Sequence, residues 1–518
     1  MKDKGRNIFS RTLRTIFNKH VIVAFLILLQ VAAIAYVVIA RGMNSFWFYA
    51  VCQVTGLIVS VHIIVKRGKS AYKFVWLFTV ITLPIFGTLF YILFYRQASS
   101  KRFSKRVKNS EEHMREFYSL IGSDVSAATA DYPAEESRIN YLEKAAGFPV
   151  YAGTDAEYLS CGEAMFASMK AELENAKKYI FMEYFIIREG EMWQGIYDML
   201  KRKAKEGVKI RIMYDDIGCL KGLPEGFRAD LKRHGIECAV FNPFKPFLIS
   251  VQNNRDHRKI TSIDGKVAFT GGVNIADEYI NKLNRFGHWK DAGVKLCGKA
   301  AWGLTMMFLQ NWEMATKLKE DYLQYFPYKS SPCPDCGNGY FQPYTDSPTD
   351  REEVGEHVYL QTVYEAKKYL YITTPYLIID GKMSDALTLA AKSGVDVKII
   401  TPHKWDKKFV HVVTRSYYKE LLEGGVKIYE YSSGFIHSKT FVSDDRTAIV
   451  GTTNLDYRSL YLHFECGVAG YDEAFAGAVK KDFEETLIKT QEITLADCKE
   501  NVFKRIFTAF LRLFAPLL

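Results

Sequence analysis

Three long apolar runs open the chain, and none of them alternates. Val21–Ala40 is twenty residues without a charge, and Gln30 is its one strongly polar position. Phe46–Val65 is twenty more, interrupted by Gln53, Ser60 and His62, and Phe74–Tyr95 is a third, broken by Pro84 and Gly87. A helix needs about 20 apolar residues to cross a bilayer, and soluble helices seldom run that far without a polar face. The pattern therefore predicts membrane helices. Trp47, Trp76, Tyr91 and Tyr95 fall near run ends, where amphipathic rings favour the membrane–water boundary. A secretory signal would have a shorter apolar core and a small-residue cleavage site, which these runs do not match.

Beyond residue 110 the pattern changes to short β-rich runs between amphipathic helices, and it repeats. "AKKYIFMEYFII" (Ala176–Ile187) resembles "AKKYLYITTPYLII" (Ala366–Ile379), and "LKRKAKEGVKIRIMYDD" (Leu200–Asp216) resembles "LTLAAKSGVDVKIITPH" (Leu387–His403). Each block ends a helix, turns at Gly207 or Gly394 and enters a strand. Helix–Gly–strand units in series predict an α/β fold with sheets covered by helices. The expected divisions are an N-terminal membrane anchor at 1–110, a first domain at 111–330, its copy at 331–500, and an amphipathic tail at 501–518.

Charge sharpens this division. The net +11 is unevenly placed: residues 1–110 hold seventeen Lys and Arg against one acid, Asp3, a net +16 that leaves −5 for the rest. Basic residues beside apolar runs fit contact with anionic lipid. A nucleic-acid surface would put the basic excess on the domain that carries the chemistry, so nucleic acid is not an expected partner. The basic clusters are Lys2–Lys19, Lys66–Lys73 and Arg96–Lys108. All three share one side only if the first two runs span and the third, broken by Pro84, turns back. The positive-inside rule then puts them, and the catalytic part, in the cytoplasm of a multi-pass cell-membrane protein. The nine scattered cysteines, an odd number, fit free thiols in a reducing compartment. "CPDC" at Cys333–Cys336 reads as a turn with two thiols, since no second pair at zinc-like spacing accompanies it.

The chemistry is written twice. "HRKITSID" (His257–Asp264) and "HSKTFVSD" (His437–Asp444) both read H-x-K-x-x-x-x-D. In a strand, residues i and i+2 share a face, so His257 points with Lys259 and His437 with Lys439. Asp264-Gly265 is a hairpin-turn signal, with Asp444-Asp445 at the matching place. Asp264 and Asp444 are therefore either catalytic or turn formers. "GGVN" (Asn274) and "GTTN" (Asn454) follow at equal distances, and their glycines allow backbone N–H groups to approach an anion. Two His, two Lys and two Asn brought together would hold one phosphate diester: Lys and Asn stabilise its oxygens, one neutral His attacks phosphorus, and the other, protonated, serves the leaving alkoxide. No cofactor and no metal are called for, because the lysines neutralise the charge; "YDD" (Tyr214–Asp216) reads as a strand-end pair.

With these motifs the chain resembles the phospholipase D superfamily. "MEYFII", "YDDIG", "HWKDAGV", "TTPYL" and "NLDYRSL", together with the apolar runs, resemble bacterial cardiolipin synthases. The resemblance implies two tandem phospholipase D-like domains, helix-covered mixed sheets related by a pseudo-two-fold. It also implies transfer of a phosphatidyl group between two phosphatidylglycerols, with catalytic His257, Lys259, Asp264, His437, Lys439 and Asp444. A downstream acid orienting the second-motif histidine matches Glu465, with Asp291 as the first-half counterpart. Asp256 and His463 stand where the family pattern leads one to expect Asn. The expected partners are phosphatidylglycerol and anionic membrane lipid. A hydrolase or a transferase with another acceptor, a membrane-bound nuclease, and a silent lipid-binding scaffold are the rivals. The insertion "PFKPFLIS" (Pro243–Ser250) is either membrane-dipping or packed on the domain, and the tail "FKRIFTAFLRLFAPLL" (Phe503–Leu518) is either an interfacial amphipathic helix or a helix docked on the core.

Overall fold

The computed structural model describes residues 19–40, 43–95, 98–245, 250–329, 333, 336–350 and 352–517. The basic cluster upstream of Lys19, together with Arg41, Arg96 and the middle of the insertion, lies outside the described residues. The chain forms two compact units: Met1–Lys105 with Phe244–Asn253 and Ala509–Leu518, and Arg106–Pro243 with Asn254–Thr508.

In the first, anchor unit, the first two apolar runs are the single helices α1 (Lys19–Ala40) and α2 (Met43–Val65). Within them Val21–Ile39 and Asn44–Val65 are long and apolar enough to cross a membrane. Their large apolar side chains, such as Leu28, Ile39, Leu57 and Val65, face outward, as lipid contact requires. The third run is two helices, α3 (Ser70–Thr82) and α4 (Pro84–Tyr95), separated by the single non-helical residue Leu83. Pro84 has no N–H to continue the helix, so the chain reverses there. Trp76 on α3 then meets Tyr91 and Phe94 on α4, with ring centroids 5.1 and 5.7 Å away. Gly87 makes the close approach possible, because a Cβ there would fall 2.6 Å from Thr79 O. The break exposes backbone donors, and Gln30 of α1 satisfies two of them: its Oε1 accepts from the N–H groups of Ile85 and Phe86, both at 3.1 Å. Thirteen helical residues rise about 20 Å, short of the roughly 30 Å hydrocarbon core. The one strongly polar residue of the first run thus serves as the cap for a hairpin formed by the third. At the other end of the chain, Phe514 packs on Phe78 at 6.0 Å.

The second, globular unit is built on one fifteen-stranded sheet and a separate two-stranded one. The first half supplies β1 (Tyr151–Leu159), β2 (Tyr179–Tyr184), β3 (Lys209–Asp215), β4 (Glu237–Phe241), β5 (Lys259–Ile263), β6 (Val267–Gly271), β7 (His288–Lys290) and β8 (Gly293–Gly298). The second half supplies β9 (Gly339–Asp346), β10 (Tyr369–Thr373), β11 (Asp396–Pro402), β12 (Lys427–Tyr431), β13 (Gly434–Ile436), β14 (Thr440–Ser443), β15 (Thr447–Gly451), β16 (Glu465–Tyr471) and β17 (Thr490–Ile493). The order across the sheet is β17-β12-β11-β10-β14-β15-β16-β9-β1-β8-β6-β5-β2-β3-β4. Read outward from the β9/β1 seam the two halves repeat strand for strand, β17 being the one addition. The two expected domains therefore share one hydrogen-bonded sheet. Helix α5 (Lys299–Thr316), buried on every side from Ala300 to Met314, covers the first half. Phe181 of β2 stacks on its Phe308 at 4.8 Å. A fully buried ring of this kind contributes roughly 1.5–3 kcal/mol. α6 (Glu473–Leu487) stands at the matching place after β16. The last helix, α7 (Val502–Leu513), carries Phe503, Ile506, Phe507 and Phe510 exposed, Phe503 at 86%.

Candidate active site

β5 and β14 are central strands, paired on one side with β2 or β10 and on the other with β6 or β15. Each His–Lys pair sits where its strand begins: Lys259 opens β5, and Lys439 is the residue just before β14. All four side chains are buried. The intervening residue points the other way: Arg258 meets Glu183, at 2.9 Å, and Asp256 in a fully buried cluster, while Ser438 meets Thr373. Asp256, where the family pattern leads one to expect Asn, thus serves as an acid for Arg258. Its other oxygen accepts from Asn311.

The residues just ahead of each histidine pair with the opposite half. β13 runs parallel to β7 with Ile436 opposite Lys290, and an isolated bridge sets Asp256 opposite Phe464. The next backbone bonds follow: His437 N–H donates to Lys290 O at 2.7 Å and His257 N–H to Phe464 O at 2.9 Å. Each histidine therefore lies beside the acid that follows its partner residue. His257 Nδ1 is 2.9 and 3.0 Å from the two Glu465 oxygens, and His437 Nδ1 is 2.7 Å from Asp291 Oδ2. This corrects the pairing implied by the resemblance. Glu465 orients the first-motif histidine, and Asp291 the second.

The acids are themselves held. Thr452 Oγ1 donates to Glu465 Oε2 at 2.5 Å, and Trp289 Nε1 to Asp291 Oδ2 at 3.3 Å. Gly272, the counterpart of Thr452, leaves room for Asp291, since a Cβ there would fall 1.9 Å from Asp291 Oδ1. The sequence signal was present in "GGVN" against "GTTN", but its meaning depends on which acid each position faces. Aromatic walls were also missed: Phe185 lies against His257 at 5.1 Å, and Trp289 and Tyr279 against His437 at 5.2 and 5.7 Å.

Electrostatics ties the four groups into one site. Burial, then the charges of Lys259, Lys439 and His437, push His257 well below its ordinary pKa. Burial and Lys439 push His437 down to about 4 against the opposing pull of Asp291. Burial lowers Lys259 to about 8 and Lys439 to about 7. Burial alone would raise Asp291, but the charge and hydrogen bond of His437 outweigh it and leave the carboxyl below its usual range. Both lysine ammoniums donate to the carbonyl of their own histidine. Both histidines are neutral before an anion enters. With Nδ1 against a carboxylate, that neutral ring carries its proton on Nδ1 and presents a bare Nε2 lone pair.

Asn274 and Asn454 are buried in the turns after β6 and β15. Asn274 Oδ1 accepts from Ile186 N–H, and its Nδ2 donates to Tyr279 Oη. Asp264 and Asp444 are not in the site. They lie at the far ends of β5 and β14, about 17 Å of extended chain from the lysines, at φ +53° and +57°. Asp264 accepts from the N–H groups of Lys177, Lys178 and Tyr179, and Asp444 from those of Lys367, Lys368 and Tyr369. They are clamps that fix the hairpin turn to the start of the neighbouring strand, and the catalytic role expected of them is corrected. Asp215 of "YDD" pairs with Arg255 at 2.9 Å and caps the turn after β3. Among the described residues no two cysteines are joined in a disulfide. Among the described residues, His257, His463 and Glu465 bring ligand-type atoms within 4.8 Å of one another. The two lysines of the same pocket oppose a dication there.

Comparison with known proteins places the architecture. A family model described as "Cardiolipin synthase, PLD-like domain" matches residues 169–285 and 359–487, and one described as "Phospholipase_D-nuclease N-terminal" matches 56–96. An uncharacterized protein of Streptococcus mutans is 42% identical over 86% of this chain and 96% of its own. A cardiolipin synthase of Halalkalibacterium halodurans is 33% identical over 92% and 96%. The crystal structure of phosphatidylserine synthase from Haemophilus influenzae shares the fold, with TM-score 0.57 and 16% identity over 74% of this chain and 97% of that one.

Proposed function

The chain belongs to the cardiolipin synthase family with its phospholipase D-like domains, and from that premise we propose the following reaction. The phosphatidyl group of one phosphatidylglycerol passes to a hydroxyl of a second, giving cardiolipin and glycerol through a phospho-histidine. The observation that carries the mechanism is the crossed pair His257–Glu465 and His437–Asp291. Two buried, neutral imidazoles with bare Nε2 atoms share a pocket with two lysines. An entering phosphate diester brings the negative charge that lets one imidazole take up a proton. The other attacks phosphorus. As the N–P bond forms, the P–O bond to glycerol breaks, and the protonated histidine gives its proton to that oxygen. The same histidine, now neutral, takes the proton of the second lipid's hydroxyl as it displaces the phospho-histidine. Lys259 and Lys439 hold the non-bridging oxygens throughout, with Asn274 and Asn454 flanking.

This is a membrane protein of lipid chemistry. α1 and α2 span, while α3 and α4 form a hairpin that enters and returns. That arrangement puts Lys66–Lys73 and the basic residues 101–108 on one side, the cytoplasm. The net −5 beyond residue 110 disfavours a nucleic-acid substrate. The test is to incubate purified protein in mixed micelles with labelled phosphatidylglycerol. A diphosphatidyl product with glycerol supports the reading, and phosphatidic acid alone would make the chain a hydrolase. His257→Ala and His437→Ala should each lower turnover by at least about 10²–10⁴-fold. For topology, an impermeant thiol reagent on intact cells should leave a single exposed domain cysteine unlabelled until lysis.

A further inference from the structure

The anchor unit contains a cavity that the reaction does not use. It measures about 360 Å³ and lies where α2 ends, α3 begins and α4 ends. Lys66, Arg67, Lys69 and Lys73 line it, and Trp76 and Tyr91 form its wall. Four cationic side chains thus converge on one cavity. Lys73 Nζ donates to Ile64 O at 2.9 Å, which fixes its ammonium at the end of α2. A hydrogen-bonded pair of hydroxyls, Ser100 and Ser250 at 2.7 Å, adds neutral polar lining. Burial lowers the Lys66 ammonium from its ordinary value, and a bound anion would offset that.

The place of the cavity identifies the anion. It opens at the end of the membrane-crossing stretch Asn44–Val65, whose Val61, Ile64 and Val65 face outward. That is headgroup depth for any lipid lying along α2, and a cluster of cations beside an apolar helix face fits a phosphate diester with acyl chains attached better than a free ion. We propose that this cavity is a non-catalytic site for one anionic diacyl phospholipid, its phosphate among the four cations and its chains along the outer face of α2.

The test uses the full chain with His257→Ala and His437→Ala, so that turnover cannot consume the probe and failure of the proposed reaction leaves the result interpretable. Native mass spectrometry in detergent, with phosphatidylglycerol or phosphatidylcholine added, counts retained lipids. One phosphatidylglycerol should be held at activation energies that strip phosphatidylcholine. Lys66→Gln, Lys69→Gln and Lys73→Gln together should weaken it at least about tenfold. The same three changes to Arg should keep it, which separates lost charge from lost folding. Inorganic phosphate should not displace it. Equal retention of phosphatidylcholine, equal retention by the Gln variant, loss in the Arg variant, or displacement by phosphate would each overturn the site.

Discussion

His257 takes its carboxylate from the far half of the chain: Glu465 Oε1 lies 2.9 Å from its Nδ1, 208 positions away. The mirror relation joins His437 to Asp291. Neither half completes its own histidine, so the two copies form one catalytic unit, and neither can be lost while the other works. The imidazole proton signals offer a direct check. Glu465→Gln should move the His257 resonance and leave that of His437 in place, and Asp291→Asn should do the reverse. Each should lower kcat by about 10²-fold or more. A shift of His437 on changing Glu465 would restore the pairing within each half.

Asp264→Ala and Asp444→Ala should act on stability. Each removes a carboxylate that accepts three backbone N–H groups, costing about 1–3 kcal/mol or more, and places Ala at positive φ. The melting temperature should fall by several degrees, with kcat of the folded fraction nearly unchanged. A large loss of kcat at an unchanged melting temperature would return these residues to the chemistry.

The pH profile follows from the lysines. An ammonium is present below its pKa and lost above it, so capture of an anionic substrate should weaken as pH rises through about 7 and then about 8, the values to which burial lowers Lys439 and Lys259. On the acid side, His437 becomes charged only below about 4. The kcat/KM profile, which reports the free enzyme, should decline as pH rises above about 4, because the free histidines are neutral there and one must take up a proton, and should steepen beyond about 7 as Lys439 loses its charge. Lys439→Arg should carry the alkaline limb upward, because a guanidinium keeps its charge. A limb that stays in place would assign it to another group.

Gln30→Leu tests the broken third run. It leaves the N–H groups of Ile85 and Phe86 without their cap, at a cost of about 1–3 kcal/mol for each donor so left. The melting temperature of the protein in nanodiscs should fall, while Gln30→Asn or →Glu, which keep an oxygen acceptor, should retain more of it. No change with Leu would mean that the cap contributes nothing.

By itself the sequence determined what depends on short-range pattern. Apolar runs of twenty residues fixed the anchor helices, because a helix in lipid needs that length. Pro84 marked the reversal, the doubled helix–Gly–strand blocks marked the repeated sheet, and His-x-Lys marked the paired catalytic groups, because side chains two apart on a strand share a face. Tertiary structure decided what depends on who faces whom. Asp264 belongs to the same eight-residue motif as His257, yet five strand residues carry it to the opposite end, where its partners are the backbone donors of Lys177–Tyr179. Glu465 follows the second motif in the chain, yet the bridge between Asp256 and Phe464 delivers it to the first histidine. Gln30 read as one polar interruption until α4 placed two open N–H groups against it. In each case the partner lies 55 or more positions away, or on the far side of a pseudo-two-fold, and no spacing along the chain encodes which copy of a repeated element a side chain will meet.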